Sequence, residues 1–297
     1  MFTGLSAFPL TPVRQDGIDE AAFVGLIERL VNAGVDSIGA LGSTGNYAYL
    51  SRGERARAAR LAVENAGSVP VIVGIGALRT RDVLALAEDA QAAGAHGVLL
   101  APMSYQVLSE QEVYELYETV TAQLSVPLCV YDNPGTTHFT FTDELYRRIA
   151  ALPKVASIKI PGVPQAPDAA RERVAHLKAL LPPGVSVGVS GDPVAAAGLN
   201  AGCDAWYSVI GGVFPEVALA ITRAAQAGEA ADALRLSARL QPLWELFSRH
   251  GGSLRVVASA AELLERVEAP CLPPPLKALA GEDRHRLAAV LEALALA

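Results

Sequence analysis

The chain has 297 residues, 51% of them hydrophobic, and a formal net charge of −7; at ~100–200 residues per domain this fits two modest domains or one large α/β barrel with additions. A negative balance without a basic run argues against a nucleic-acid partner or an anionic membrane surface and favours small molecules. The longest apolar stretch, Val69 to Leu78, is far below the ~18 residues of a membrane span despite a mean hydropathy of +0.30, so the chain is expected to be soluble.

Residues Met1 to Leu5 carry neither a basic n-region nor an apolar h-region, which makes a cytoplasmic location the expectation. Cys129, Cys203 and Cys271 form an odd set with no C-x-x-C spacing, so neither a disulfide framework nor a zinc site is expected. The histidines show no H-x-x-x-H pattern, which removes a common metal signature.

Short apolar runs alternate with segments of helical period. In chain order the predicted strands lie near 3–8, 36–41, 71–76, 97–101, 127–131, 155–160, 185–190 and 204–209. The helices between them lie near 19–33, 51–66, 80–93, 109–124, 142–151, 167–181, 192–201 and 214–227. Ser51 with Glu54 and Ser109 with Glu112 read as capping boxes, in which each side chain reaches the other residue's free N–H. Gly34, Gly67, Gly94, Gly202 and Gly228 suit the left-handed position that ends a helix. Gly34 and Gly94 stand 60 residues apart, two repeats of about 30, the size of a βα unit. Eight such units predict a closed (β/α)8 TIM barrel over 1–228, followed by a helical C-terminal extension over 229–297 with helices near 229–249, 253–267 and 282–296. An open doubly wound sheet is the alternative, but no G-x-G-x-x-G follows the first strand.

In such a barrel the chemistry sits where the strands end. Lys159, in Val155-Ala156-Ser157-Ile158-Lys159-Ile160, falls at the end of the sixth strand, and alternation puts Val155, Ser157 and Lys159 on one face. If that face is the interior, a confined apolar space favours a neutral amine able to attack a carbonyl; a lysine paired with a barrel carboxylate is the bland alternative. Twenty of the 24 basic residues are arginine, which stays charged and could not supply that nucleophile. Lys154, Lys178 and Lys277 all fall at sites that read as solvated. Tyr131 ends the fifth strand, 28 residues before Lys159, so the two side chains are expected to be rim neighbours. Hydrogen-bonded to other hydroxyls, a phenol can pass protons; otherwise it is an ordinary rim aromatic. After the second strand, Gly42-Ser43-Thr44-Gly45 makes a turn whose N–H groups can converge on a carboxylate or phosphate, or an ordinary βα turn.

These segments, together with Gly4 to Pro12, Asn133-Pro134 and Ser190-Gly191-Asp192, resemble the dihydrodipicolinate synthase and N-acetylneuraminate lyase family of pyruvate-dependent class I aldolases over nearly the whole chain. The resemblance implies a Schiff-base lyase acting on pyruvate or a short 2-keto acid by aldol condensation or cleavage, with or without dehydration. Lys159 would form the imine, Tyr131 would be the acid/base, and Thr44 would link it to a proton relay completed by Tyr105 of a neighbouring subunit. Ser43, Thr44, Gly45, Asn46, Thr136, Gly191 and Tyr207 would face the substrate. No metal or organic cofactor is implied beyond the covalent imine; the partners would be a 2-keto acid and an aldehyde, and the assembly a homotetramer.

Asn46 and Thr136 stand where lysine-pathway members usually carry glutamate and a carboxylate-gripping arginine. A 2-keto-3-deoxy sugar-acid aldolase or dehydratase therefore stands beside 4-hydroxy-tetrahydrodipicolinate synthase as an expected activity. A non-catalytic keto-acid-binding barrel and a phosphate-binding barrel are the readings outside the family. Tyr105 falls one residue later after Pro102 than the pattern has it, and His138 and Tyr207, both near the rim, either replace some of these contacts or read as spacer or packing residues.

Overall fold

Eight segments with β-branched or alternating apolar character form a closed parallel barrel in the computed structural model, which describes residues 1–14 and 17–296. The strands are β1 Gly4–Ala7, β2 Ser37–Ala40, β3 Val71–Gly74, β4 Gly97–Leu100, β5 Leu128–Tyr131, β6 Val155–Ile160, β7 Ser186–Val189 and β8 Ala205–Ser208. Each pairs with its neighbours in sequence, and β1 closes the circle by pairing with β8 through Leu5 and Trp206 and with β2 through Ser6 and Ser37. All eight predicted strands are present, and the TIM-barrel expectation holds.

The helices begin where the sequence supplies caps. Asp19 accepts from the Ala22 N–H at the start of α1 Glu20–Ala33, and both predicted capping boxes form, at α2 Arg52–Asn65 and α4 Glu110–Thr121. All five predicted helix-ending glycines have positive φ. Further barrel helices are α3 Thr80–Ala92, α5 Asp143–Ala150, α6 Pro167–Leu180, α7 Ala195–Asn200 and α8 Pro215–Gln226.

Period two sorts the strand side chains into two cores. Val71, Val73, Val98, Leu100, Leu128 and Val130 join the large cluster beneath the helices. Ile72, Leu99, Cys129, Tyr131 and Tyr207 form a smaller one, which that alternation places inside the barrel. The predicted alternation along β6 fails at its start. A register shift between Leu128 and Cys129 pairs Leu128 with Val155 but Cys129 with Ser157. Val155 therefore belongs to the outer cluster and Ala156 packs against the inner one, while Ser157 and Lys159 remain inward.

Beyond the barrel lie α9 Ala230–Arg239, α10 Gln241–Arg249, α11 Leu254–Leu263 and α12 Gly281–Ala293. The helix expected over 229–249 is thus two helices. Pro242 sits in the first turn of α10, where its missing N–H is harmless, but its ring would collide with the carbonyl of Ala238 in a continuous helix. Leu243, Trp244, Val256 and Leu287 bury their side chains in the same outer core as the barrel.

Candidate active site

Tyr131 and Lys159 are register partners at the ends of β5 and β6, and the Asp132 N–H donates to the Lys159 carbonyl at 3.1 Å. This ladder puts both side chains into the barrel mouth. Lys159 is 4% exposed, and its Nζ lies 4.3 Å from the Phe8 ring centre, 4.2 Å from that of Tyr131 and 5.6 Å from that of Tyr207. Among the described residues no carboxylate pairs with Nζ and no hydrogen bond engages it, so the structural ion pair weighed for this lysine is absent. The rings fit because glycine makes room for them. A Cβ on Gly39 of β2 would fall 2.4 Å from the Phe8 ring, and one on Gly188 of β7 would fall 2.2 Å from the Tyr207 ring.

The Tyr131 hydroxyl lies 3.2 Å from Ser43 Oγ and accepts from Asn133 Nδ2 at 2.8 Å. The hydroxyl link expected through Thr44 therefore runs through Ser43. Thr44 is 4% exposed, lines the cleft, and among the described residues makes no bond to Tyr131. Gly45 and Asn46 turn their N–H groups back to the carbonyls of Gly42 and Ser43 at 2.9 and 3.2 Å. Gly45 closes this turn and is absent from the cleft wall, contrary to its expected contact with substrate. A Cβ there would meet the Leu41 backbone at 2.9 Å. The N–H groups of Ser43 and Thr44 have no partner among the described residues and remain for a ligand.

Asn46 borders the cleft, but its Nδ2 donates to the Thr11 carbonyl at 3.2 Å and its buried Oδ1 has no partner. Arg55, 5% exposed, lies 5.2 Å from the ring centre of the neighbouring Tyr47 and donates to the carbonyls of Gly74 and Gly76 at 2.9 Å each. Burial pulls this guanidinium down to about 10.

Tyr207 presents its ring to the cleft and not its hydroxyl, which lies 2.6 Å from Ser157 Oγ and accepts from Cys129 Sγ at 3.4 Å inside the barrel. It is a floor for Lys159, and the polar contact expected of it is not made. Thr136 lies on the wall in the short helix Pro134–Thr137, its Oγ1 donating to the Asn133 carbonyl. Gly191, with φ 83°, also lines the cleft, beside Asp192. Burial pushes the Asp192 carboxyl up, against the pull of donors from the N–H of Ile210, the Trp206 indole, the N–H of Val209 and the Ser208 hydroxyl.

Tyr105 is not brought to this cleft by its own chain. It is 90% exposed on the loop after β4, and Met103 is the nearer residue that lines the wall. The wall also includes residues that were not singled out as site residues in the sequence, among them Tyr47, Met103, Phe8, Asn133, and the segment from Phe247 to Arg255. Asn133 could have been found as the amide two residues after Tyr131, and Phe8 as the aromatic ending the first strand. The last carries no motif.

The cleft has a volume of about 670 Å³. No group of three or more His, Cys, Asp or Glu that could hold a metal ion occurs among the described residues, and no described helix is long and apolar enough to cross a membrane.

A parallel (β/α)8 barrel that gathers one lysine, one tyrosine and a hydroxyl turn at the C-terminal ends of its strands defines a barrel-enzyme architecture. The chain belongs to the dihydrodipicolinate synthetase family, whose model matches residues 1–294. It is 32% identical over 243 residues to 4-hydroxy-tetrahydrodipicolinate synthase of Phenylobacterium zucineum, covering 81% of this chain and 80% of that one. The crystal structure of dihydrodipicolinate synthase from Agrobacterium tumefaciens superposes with a TM-score of 0.94 at 45% identity, over 99% of this chain and 98% of that one. The corresponding protein from Thermotoga maritima gives 0.92 at 25% identity over the whole of both chains.

Proposed function

We propose that the protein is a class I lyase that forms a Schiff base between Lys159 and the keto carbon of pyruvate or a short 2-keto acid. The observation that carries this is the setting of Lys159 Nζ, free of carboxylates and hydrogen bonds among the described residues, against the ring of a tyrosine whose hydroxyl is itself bonded to Ser43 and Asn133. Nζ attacks the keto carbon and gives a carbinolamine. Its hydroxyl leaves as water with a proton from Tyr131, which leaves a protonated iminium and a phenolate ready to take the next proton. The resulting iminium draws electrons from the adjacent carbon, which loses a proton to give an enamine, and that carbon attacks an aldehyde; cleavage is the reverse. The substrate carboxylate takes the free N–H groups of Ser43 and Thr44. The imine is the electron sink, so this chemistry needs no metal or organic cofactor.

The acceptor is open between aspartate semialdehyde, in line with the names of the relatives, and a sugar-acid substrate. Thr136 on the wall offers a hydroxyl where a guanidinium would grip a carboxylate, which favours the second. We further propose a cytoplasmic homotetramer in which Tyr105 reaches the cleft of a neighbouring copy. Incubation with pyruvate and borohydride tests the core of this reading. A reduced adduct of pyruvate mass that maps to Lys159 and disappears in Lys159→Ala is expected. No adduct, or one unaffected by Lys159→Ala, would leave a binding barrel without imine chemistry.

A further inference from the structure

The cleft is larger than a three-carbon acid requires, lying within the ~300–1,000 Å³ range of sites for drug-sized ligands. Its inner end is the barrel mouth with Lys159. Its outer wall comes from the C-terminal helices, from Phe247 through Ser253 and Arg255, with Leu276 alongside. The charges on this lining are unevenly matched. Asp192 is a lining carboxylate, and four donors already occupy it. Arg255 is partly buried, and among the described residues it has no carboxylate partner. Its Nη1 donates to the Lys277 carbonyl at 2.7 Å, which fixes the guanidinium against the 273–277 turn, while its remaining donors make no bond among the described residues.

The backbone at the same place adds to the positive potential. Arg255 is the second residue of α11, and Ser253, the residue before the helix, gives no side-chain cap, so the start of the helix adds its positive end to the same stretch of wall. A fixed fork of N–H donors next to an uncapped helix start matches a carboxylate group.

We propose that Arg255, with the start of α11, is a specificity-determining anion subsite that takes the distal carboxylate of a dianionic 2-oxo acid whose keto group lies at Lys159. The assignment rests on the Schiff-base reading of Lys159 and adds the substrate class to it. A six-carbon 2-oxo acid provides a matched pair. 2-Oxoadipate ends in a carboxylate and 2-oxohexanoate in a methyl group, and borohydride trapping of each, with pyruvate as reference, gives a half-saturating concentration by intact mass.

The wild-type protein is expected to trap 2-oxoadipate at about tenfold lower concentration than 2-oxohexanoate, a step in keeping with one charge-assisted contact. Arg255→Gln is expected to bring that ratio to about one, and Arg255→Lys to leave it in between, since lysine keeps the charge but not the fork. A wild-type ratio near one overturns the subsite, as does a ratio that survives in the Gln variant. Should the Gln variant lose its fold with the Lys277 contact, a Lys variant with an undiminished ratio overturns the role of the guanidinium fork. Equal trapping of all three acids removes this inference and leaves the Schiff base standing, whereas no adduct with any of them removes both.

Discussion

At the scale of single residues, the setting of Lys159 and Tyr131 assigns different work to the ring and to the hydroxyl. The Tyr131 ring is 4.2 Å from Nζ and persists in Tyr131→Phe, so the shape around the lysine is kept while the contacts to Ser43 and Asn133 are lost. Turnover of that variant is expected to fall by about 10²–10⁴, the usual worth of a positioned acid/base, while slow trapping of pyruvate on Lys159 continues. Equal turnover in wild type and variant would place the acid elsewhere. The three cysteines give a pH prediction. Burial pushes the Cys129 thiol up to about 11 and the Cys203 and Cys271 thiols up to about 12. An unfolded thiol ionises near ~8.5, so above that pH the unfolded chain releases protons that the folded one retains. Stability from these thiols is complete below about 8.5 and is lost as pH climbs towards the folded values. Iodoacetamide at pH 8 should label none of the three until denaturant is added, and the unfolding temperature should fall between pH 8 and 10. Rapid labelling of the native protein, or an unfolding temperature that rises over that interval, contradicts the burial described.

At the scale of elements, neighbouring strands hold the site by yielding space to it. Gly188 on β7 lies under the Tyr207 ring, and an added methyl would overlap it at 2.2 Å. Gly188→Ala should force Tyr207 off its bonds to Ser157 and Cys129 and cost about 1–3 kcal/mol of stability, as overpacking does. Because that ring also supports Lys159, pyruvate trapping should slow in proportion; a variant with full stability and full trapping would show that the floor is not needed. Ser51→Ala on α2 is a contrasting case. It removes one half of a capping box whose serine does not line the cleft and should lower stability by about 1 kcal/mol with trapping unchanged, as denaturant titration and the adduct assay would show. The helix starts were legible in the sequence because a cap is a local chemical fact. The pairing of Tyr131 with Lys159 was legible because one βα unit returns the chain to the adjacent parallel strand. Ser43 and Thr44 were not separable, since they lie in a turn, where no period dictates which side chain faces inward. The shift that moved Val155 outward depends on how β5 meets β6, and neither strand carries it alone.

At the scale of the whole molecule, the outer wall of the cleft was the part the sequence withheld. Residues 229–297 read as helices, but which of them closes over the barrel mouth depends on packing between elements far apart in sequence, and Arg255 looks like any surface arginine until that packing is known. The opposite problem arises at Tyr105, which is 90% exposed, with Val107 on the same loop 93% exposed and Leu78 on the loop after β3 62% exposed. Three large apolar side chains on the adjacent β3 and β4 loops are costly to leave in water and suit a contact with another copy. The proposed assembly predicts a species several times the chain mass of 31.0 kDa in sedimentation at micromolar concentration. Val107→Glu would bury a charge in that contact and should shift the population towards single chains, with turnover falling in step because each cleft loses its neighbour's tyrosine. Tyr105→Phe keeps the apolar ring and should leave the sedimenting mass unchanged while lowering turnover by about 10-fold or more. A wild-type protein that sediments as one chain and turns over substrate at full rate would confine the proton relay to Tyr131, Ser43 and Asn133.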